Sequence, residues 1–290
     1  MARRRRWGRL GHVDEQDPGP VVQRIMLGGE LRALREAAKI STDDAAAALK
    51  WYRAKVSKVE TGTVRLTPAE LSSLLKLYKA DEATSERVHR LGEEARRKTT
   101  PARVPDWASK YVSLEASATE IKMFFGDFVP GMLQTRDYAR ALLSRSVVVP
   151  PADVEQMATS REHRAERLRT GVPLLWVILG EEALRRTIGS PEVHRGQLLR
   201  LRELAELPNV TVQVMPLSGG AHTALGMSFI LLDLGSSRTV YIEGLTSADY
   251  LVRPQHIQTY SLAFDRLRVA SLGDGESLAI INTLIDELEE

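Results

Sequence analysis

A chain of 290 residues, 43% apolar and 27% charged, holds enough hydrocarbon for two cores and too much for wholesale disorder. It has no cysteine, which excludes disulfides, thiolate metal sites and cysteine nucleophiles, and apolar runs such as Val172–Leu179 are too short to span a bilayer. The formal net charge of +2 hides a division. Residues 1–100 carry 21 basic against 14 acidic side chains and the rest carry 19 against 24, so a polyanion partner is expected for the first part alone.

Residues 1–20 read as a flexible basic arm ending in Asp17-Pro18-Gly19-Pro20. The start is charged like a signal peptide but lacks the apolar stretch that should follow, so a cytoplasmic protein with no membrane partner is expected. A first helix is expected from about Val22 to Ala38, because Leu27, Leu31, Leu34 and Ala38 recur on one face. Ser41 suits the cap of a second helix, with Asp43 and Asp44 in its first turn. Thr67-Pro68-Ala69-Glu70 is a capping box that starts another, with Leu71, Leu74, Leu75 and Tyr78 as its stripe. A fifth helix is expected over roughly 84–98. Five short helices over 21–98 make an all-α domain.

Residues 99–106 read as a linker, with two prolines and no periodicity. The body, 107–290, alternates pattern types. Leu174–Leu179, Val210–Met215, Phe229–Leu234 and Thr239–Ile242 are strand-like, with Gly235-Ser236-Ser237 as a hairpin turn. Helices are expected near 181–188, from Ser190 with Leu198, Leu201 and Ala205 inward, near 254–270, and near 276–289 with Leu278, Ile281, Ile285 and Leu288 on one face. The fold class is therefore multidomain, an all-α head followed by an α+β body.

Residues 42–60 fit two helices joined by a tight turn. Ala46 is small where the helices must cross closely, and Leu49, Trp51, Val56 and Val59 are the apolar anchors. The second helix then exposes Tyr52, Arg53, Ala54, Lys55, Ser57 and Lys58. Arg53 and Lys58 lie roughly 140° apart around it and border a face whose middle is the small Ala54. Such a face enters a major groove without a clash, and Arg reads guanine O6 and N7. Thr42, Thr63 and Arg65 are better placed for phosphates, which position without specifying sequence. The competing reading is an amphipathic hairpin whose cations only face solvent. The small residue, the anchors and a local balance of +4 over 50–65 together favour DNA. Lys50 stands where the turn normally has a left-handed glycine, a strain of about 1 kcal/mol.

Residues 24–98 resemble the Xre-type helix-turn-helix domain of phage repressors, most clearly in Val56-Ser57-Lys58-Val59-Glu60-x-Gly62. The rest is similar to a family of actinobacterial antitoxin-like regulators in which a long domain of unknown function follows that head. The matching landmarks include Val129-Pro130-Gly131-Met132-Leu133-Gln134-Thr135-x-x-Tyr138-Ala139-Arg140 and Pro208-Asn209-Val210-x-Val212-Gln213-Val214-x-Pro216. The resemblance implies a homodimer on an inverted-repeat operator in double-stranded DNA, and a small partner protein encoded by a neighbouring gene. It places base reading at Arg53, Ala54 and Lys58, with Tyr52 and Lys55 nearby. Relatives often have Gln at the starts of the two helices, where this chain has Thr42 and Arg53, so the recognised sequence does not carry over.

Two body segments, Val129–Thr135 and the loop Ser218–Gly226 with His222, suit a small-molecule pocket, although Pro130-Gly131 also reads as a plain turn. His222, Ser228 and Glu181 invite comparison with a hydrolase, but no G-x-S-x-G elbow surrounds Ser228 and an isolated His is more often a surface residue. His163 and His194 lie on helical stretches without metal-ligand spacing. Neither enzyme activity nor a cofactor is expected. The run Arg3–Arg6 reads either as a minor-groove arm or as a solvated tail, and Arg96-Arg97-Lys98 as cations at a helix end. The functional expectation is a DNA-binding regulator whose body binds an effector or partner. The alternative is an antitoxin-like protein whose body neutralises a small partner while DNA binding autoregulates the pair.

Overall fold

The computed structural model describes residues 20–96, 106–235 and 237–289, the side chains of 20–22 and 106–109 excepted. The basic arm apart from Pro20, with Arg3–Arg6, lies outside the described residues, as do Arg97, Lys98, residues 99–105 of the expected linker and Ser236 of the expected turn.

The head contains α1 (Pro20–Ala37), α2 (Thr42–Leu49), α3 (Arg53–Glu60), α4 (Pro68–Leu77) and α5 (Glu82–Arg96). Local chemistry sets the starts. The Ser41 hydroxyl accepts the Asp44 amide at 3.0 Å, and Thr67 and Glu70 cap α4 reciprocally behind Pro68. The ends share a device that was expected only once. Lys39, Lys50 and Lys79 follow α1, α2 and α4 with φ of 57°, 53° and 55°. After each of them the next amide returns to a carbonyl five residues back: Ile40 to Arg35, Trp51 to Ala46 and Ala80 to Leu75. Each left-handed lysine costs about 1 kcal/mol, and the cation at the negative end of its helix offsets part of that. Leu27, Leu31, Leu71, Leu74, Leu75 and Tyr78 are buried together with Val56 and Val59. At about 1.5–3 kcal/mol for each such burial, this core outweighs the strain at the helix ends several-fold.

The body opens with α6 (Asp106–Ser117) and a central strand, β1 (Glu120–Phe125). Then come α7 (Arg136–Leu143), α8 (Val154–Glu166), β2 (Leu174–Gly180), α9 (Glu181–Arg185), α10 (Pro191–Ala205) and β3 (Val210–Met215). The chain closes with β4 (Phe229–Asp233), β5 (Arg238–Glu243), β6 (Ala248–Leu251), α11 (Pro254–Ala270) and α12 (Asp274–Glu287). Among the described residues the strands form one sheet in the order β3-β2-β1-β4-β5-β6. β1, β2 and β3 are parallel, and β4, β5 and β6 run antiparallel to their neighbours. Strand alternation builds two cores. Ile121, Met123, Val177, Leu179 and Leu232 face α6, α10 and α12. Phe124, Ile178, Phe229, Leu231 and Val240 face α11 through Phe264 and Leu267. This is the α+β body the patterns implied. β1, β6, α6 and α7 are not among the expected elements, and α8 is expected only as a helical stretch around His163. β1 is only six residues long and carries Glu120 and Lys122 at alternate positions. β6 is four residues long.

The head touches the body through α1. Its Leu27 and Leu31 belong to the head core, whereas Ile25 is buried in the body core alongside Leu114 of α6.

Candidate nucleic-acid interface and body cavity

The start of α3 is set by the left-handed Lys50 and the extended Tyr52, which turn the chain between α2 and α3. Ala45 and Ala46 are both buried in the angle between the helices; sequence reading had named only Ala46. Val56 and Val59 anchor α3 from behind, with Leu49 and Trp51 half-buried at the edge. Two backbone approaches fix its far end. A Cβ on Gly28 of α1 would meet the Val59 and Glu60 carbonyl oxygens at 2.6 Å, and Gly62, at φ +66°, lies against the Arg24 backbone. Glu60 closes the joint. Its carboxylate accepts from Arg35 Nε at 2.6 Å and a second guanidinium nitrogen at 3.2 Å, and Arg35 also donates to the Ile40 carbonyl. Hydrogen bonding to Glu60 raises the Arg35 pKa against its burial, and burial pushes the neighbouring Tyr78 up to about 12.

The outer face of α3 is open. The Tyr52 residue is 85% exposed, and Arg53, Ala54 and Lys58 are exposed beside it, with Ser57 half-buried. Arg53 lies 3.3 Å from Asp43, which sets the start of α3 beside the start of α2, where Thr42 is half-exposed. Both partners of that pair are mostly solvated, so a phosphate or a base can displace Asp43 at little cost. Thr63 and Arg65 are exposed beyond the end of α3, and the Thr63 hydroxyl donates to the Lys58 carbonyl at 2.9 Å. Lys55 is engaged within the protein. Its ammonium bonds Glu70 at 2.5 Å and sits 4.0 Å from the Trp51 ring centroid. That bond is the main reason the Glu70 pKa is lowered.

In the body, the carboxyl ends of β1, β2 and β3 converge with the start of β4 and the end of β5 around a cavity of about 1180 Å³. Both segments singled out in the sequence, around Pro130-Gly131 and His222, line it. Pro130 and Gly131 also open a 3₁₀ turn, so the two readings of that dipeptide coincide. Much of its charge was not foreseen. Arg161 and Arg164 reach it from α8, Glu243 from β5, and Tyr111 of α6 stacks on Tyr241 with ring centroids 4.4 Å apart. Buried Glu115 pairs with Arg164 at 3.1 Å. The Arg161 Nη1 donates to Gln134 Oε1 at 2.7 Å. Desolvation raises the Glu243 pKa despite its hydrogen bond with Tyr241, and burial likewise raises Tyr241 well above the usual phenol range. The spacing of Arg161 and Arg164, one helical turn apart, was the available signal. The helical stretch expected around His163 carries no bounds, so that spacing has no face to be placed on.

The hydrolase constellation does not assemble. Glu181 accepts from Arg185 and the Leu217 amide, which hold its pKa low. His222 accepts from the Ala224 amide and meets Phe124 edge-on, while burial lowers its pKa. Among the described residues no hydrogen bond joins Glu181, His222 and Ser228. His194 is buried, its Nε2 2.7 Å from the Leu184 carbonyl oxygen. No helix among the described residues is long and apolar enough to cross a membrane.

Residues 26–88 match a family described as a helix-turn-helix domain, which covers the α2–α3 unit and the helices that brace it. Residues 108–283 match a family described as a domain of unknown function, DUF5753. No curated protein and no solved structure matches the chain. The second match takes in the whole sheet and its cavity and spans more than half of the 290 residues, so the chain belongs to the DUF5753 family and carries a helix-turn-helix DNA-binding domain ahead of it.

Proposed function

We propose that the protein is a sequence-specific transcriptional regulator of Xre type that binds an inverted-repeat operator as a homodimer, with a body that senses an effector. One observation carries the reading. The face of α3 formed by Tyr52, Arg53, Ala54 and Lys58 is open to solvent, while Val56 and Val59 pin the opposite face to the core. A short rigid helix with a small residue between two cations is what a major groove admits. Arg53, Ala54 and Lys58 read bases, with Tyr52 and Ser57 beside them, and Thr42 and Arg65 hold phosphates. Thr63 contributes chiefly by ending α3. Lys55 joins only by giving up Glu70, so its first role is to brace α3 against α4. A single helix makes few base contacts, which favours a two-fold pair on half-sites about 34 Å apart. The body is joined to the reading helix by continuous packing: Tyr111 walls the cavity from α6, α6 packs on α1, and α1 abuts the end of α3 at Gly28.

A footprint on the protein's own promoter tests this. Arg53→Ala should lose about 1–3 kcal/mol of specific affinity with the fold intact, whereas Arg65→Ala should weaken all sequences alike and lower the salt slope by about one. Unchanged specific binding by Arg53→Ala would remove α3 as the reader. The second reading, an antitoxin-like body that clasps a small protein encoded next door, draws support from Leu217, Leu225 and Leu245. These are 62%, 71% and 70% exposed around the cavity. Co-purification with the neighbouring gene product, lost on changing Leu225 and Leu245 to Ser, would favour it.

A further inference from the structure

We infer that the body cavity binds a small organic anion, an oxyanion head on an apolar or aromatic body, with the head held by Arg161. The inference rests on reading the body as the sensing half of a regulator. The cavity, about 1180 Å³, exceeds the usual range of roughly 300–1,000 Å³ for small-molecule sites. Its walls include Phe124, Phe128, Leu142, Met157, Phe229 and Ile230, which suit a hydrocarbon or aromatic body.

Arg161, Arg164 and Glu243 line its inner wall with Glu115 behind them, but only one of the two guanidiniums has a carboxylate at contact distance. Of the two α8 guanidiniums, Arg164 has its counter-ion in Glu115. Arg161 has no partner that close: among the described residues no carboxylate comes within 4.0 Å of it, Glu243 and Glu115 attract it only from farther off, and its one hydrogen bond runs to the neutral Gln134 side chain. A guanidinium has five N–H donors, so most of those on Arg161 are left for whatever enters the space it lines. Enclosure by protein pushes its pKa down to about 10, with Arg164 adding repulsion, yet it remains a cation at neutral pH. A half-buried guanidinium with no carboxylate at contact distance has donors to spare, and an oxyanion is the group that satisfies them bidentately. Glu243, whose charge acts on both Arg161 and Arg164, sets a limit. Its carboxylate is open to the cavity yet walled by protein, so it repels a multiply charged ligand and accepts from a hydroxyl or amine on a singly charged one.

The test is a fluorescence titration of the full chain with 8-anilinonaphthalene-1-sulfonate and with its uncharged counterpart, N-phenyl-1-naphthylamine. The sulfonate should bind the parent at least about tenfold more tightly. Arg161→Met should weaken the sulfonate about thirty-fold or more, the loss expected when one of two paired charges is removed, and leave the neutral dye unchanged. Arg161→Lys should recover part of the loss, and Glu243→Gln should tighten the sulfonate severalfold. Displacement by decanoate, decyl phosphate and decanol then separates carboxylate from phosphate, with decanol weakest. Equal binding of both dyes by the parent, or no sulfonate binding, overturns the inference. An unchanged sulfonate affinity in Arg161→Met does so as well. Should Arg161→Met fail to fold, Glu243→Gln decides, and no gain in sulfonate affinity counts against it. No DNA enters this assay, so its outcome is independent of the operator reading. A dye that binds without altering operator affinity would leave the site standing and end the sensing role.

Discussion

Glu60 holds α3 by its far end, and its removal is the sharpest test of how the head is assembled. The Arg35 and Glu60 side chains are 9% and 8% exposed, and the carboxylate takes two guanidinium N–H groups at 2.6 and 3.2 Å. In Glu60→Ala the guanidinium keeps the Ile40 carbonyl but loses the one buried carboxylate that pairs with it among the described residues, Glu36 being a solvated 3.5 Å neighbour. Breaking a pair this buried costs about 3–5 kcal/mol. The retained carbonyl bond and the partial reach of Glu36 place the expected loss near the lower figure, about 3 kcal/mol. A unit the size of residues 20–96 has roughly 4–11 kcal/mol in total, so about a quarter or more of its stability should go, with a fall in Tm of about 12–24 °C. Amide hydrogen exchange on the full chain is the suitable assay because it reads the head separately from the body. The amides of α1 and α3 should lose protection together while those of β1 to β3 keep theirs. Replacing both partners, Arg35→Met with Glu60→Met, should restore most of the loss, since a well-packed apolar pair substitutes for a buried ion pair. A loss below about 1 kcal/mol in Glu60→Ala, or no recovery in the double variant, would refute the claim that this pair pins α3 to α1.

Two further outcomes follow from the same reasoning. Lys50→Gly removes the left-handed strain in the turn between α2 and α3, so after the added freedom of the unfolded glycine it should stabilise the head by up to about 0.5 kcal/mol; destabilisation in urea would show that the Lys50 cation outweighs its backbone strain. Desolvation raises the Glu243 pKa above its ordinary 4.5, so the folded body binds the extra proton and body stability should fall as pH rises from about 4.5 through the raised value. Glu243→Gln should abolish that slope in body hydrogen exchange measured from pH 4 to 8, and equal slopes in the two proteins would place the carboxylate in ordinary solvent.

Local chemistry was legible in the chain, and so was most of the head. The caps at Ser41 and Thr67, the stripe Leu71, Leu74, Leu75 and Tyr78, and the open face of α3 all depend on residues within one or two helical turns of each other. Strands β2 to β5 were visible for the same reason, as apolar runs bounded by turn residues. β1 was not, because Glu-Ile-Lys-Met-Phe-Phe becomes a central strand only when β2 supplies hydrogen bonds from 54 residues away, Glu120 facing Leu174, and β4 from 105 or more, Phe124 facing Phe229. The Arg35–Glu60 joint spans 25 residues and the Arg161–Gln134 bond 27. One arginine is pinned by a carboxylate and the other is left facing a cavity, a difference that residue type cannot express. Periodicity and capping are short-range properties carried by the chain itself. Whether a charge is paired, and what space it faces, depends on which distant segments pack beside it, and only the tertiary structure decides that.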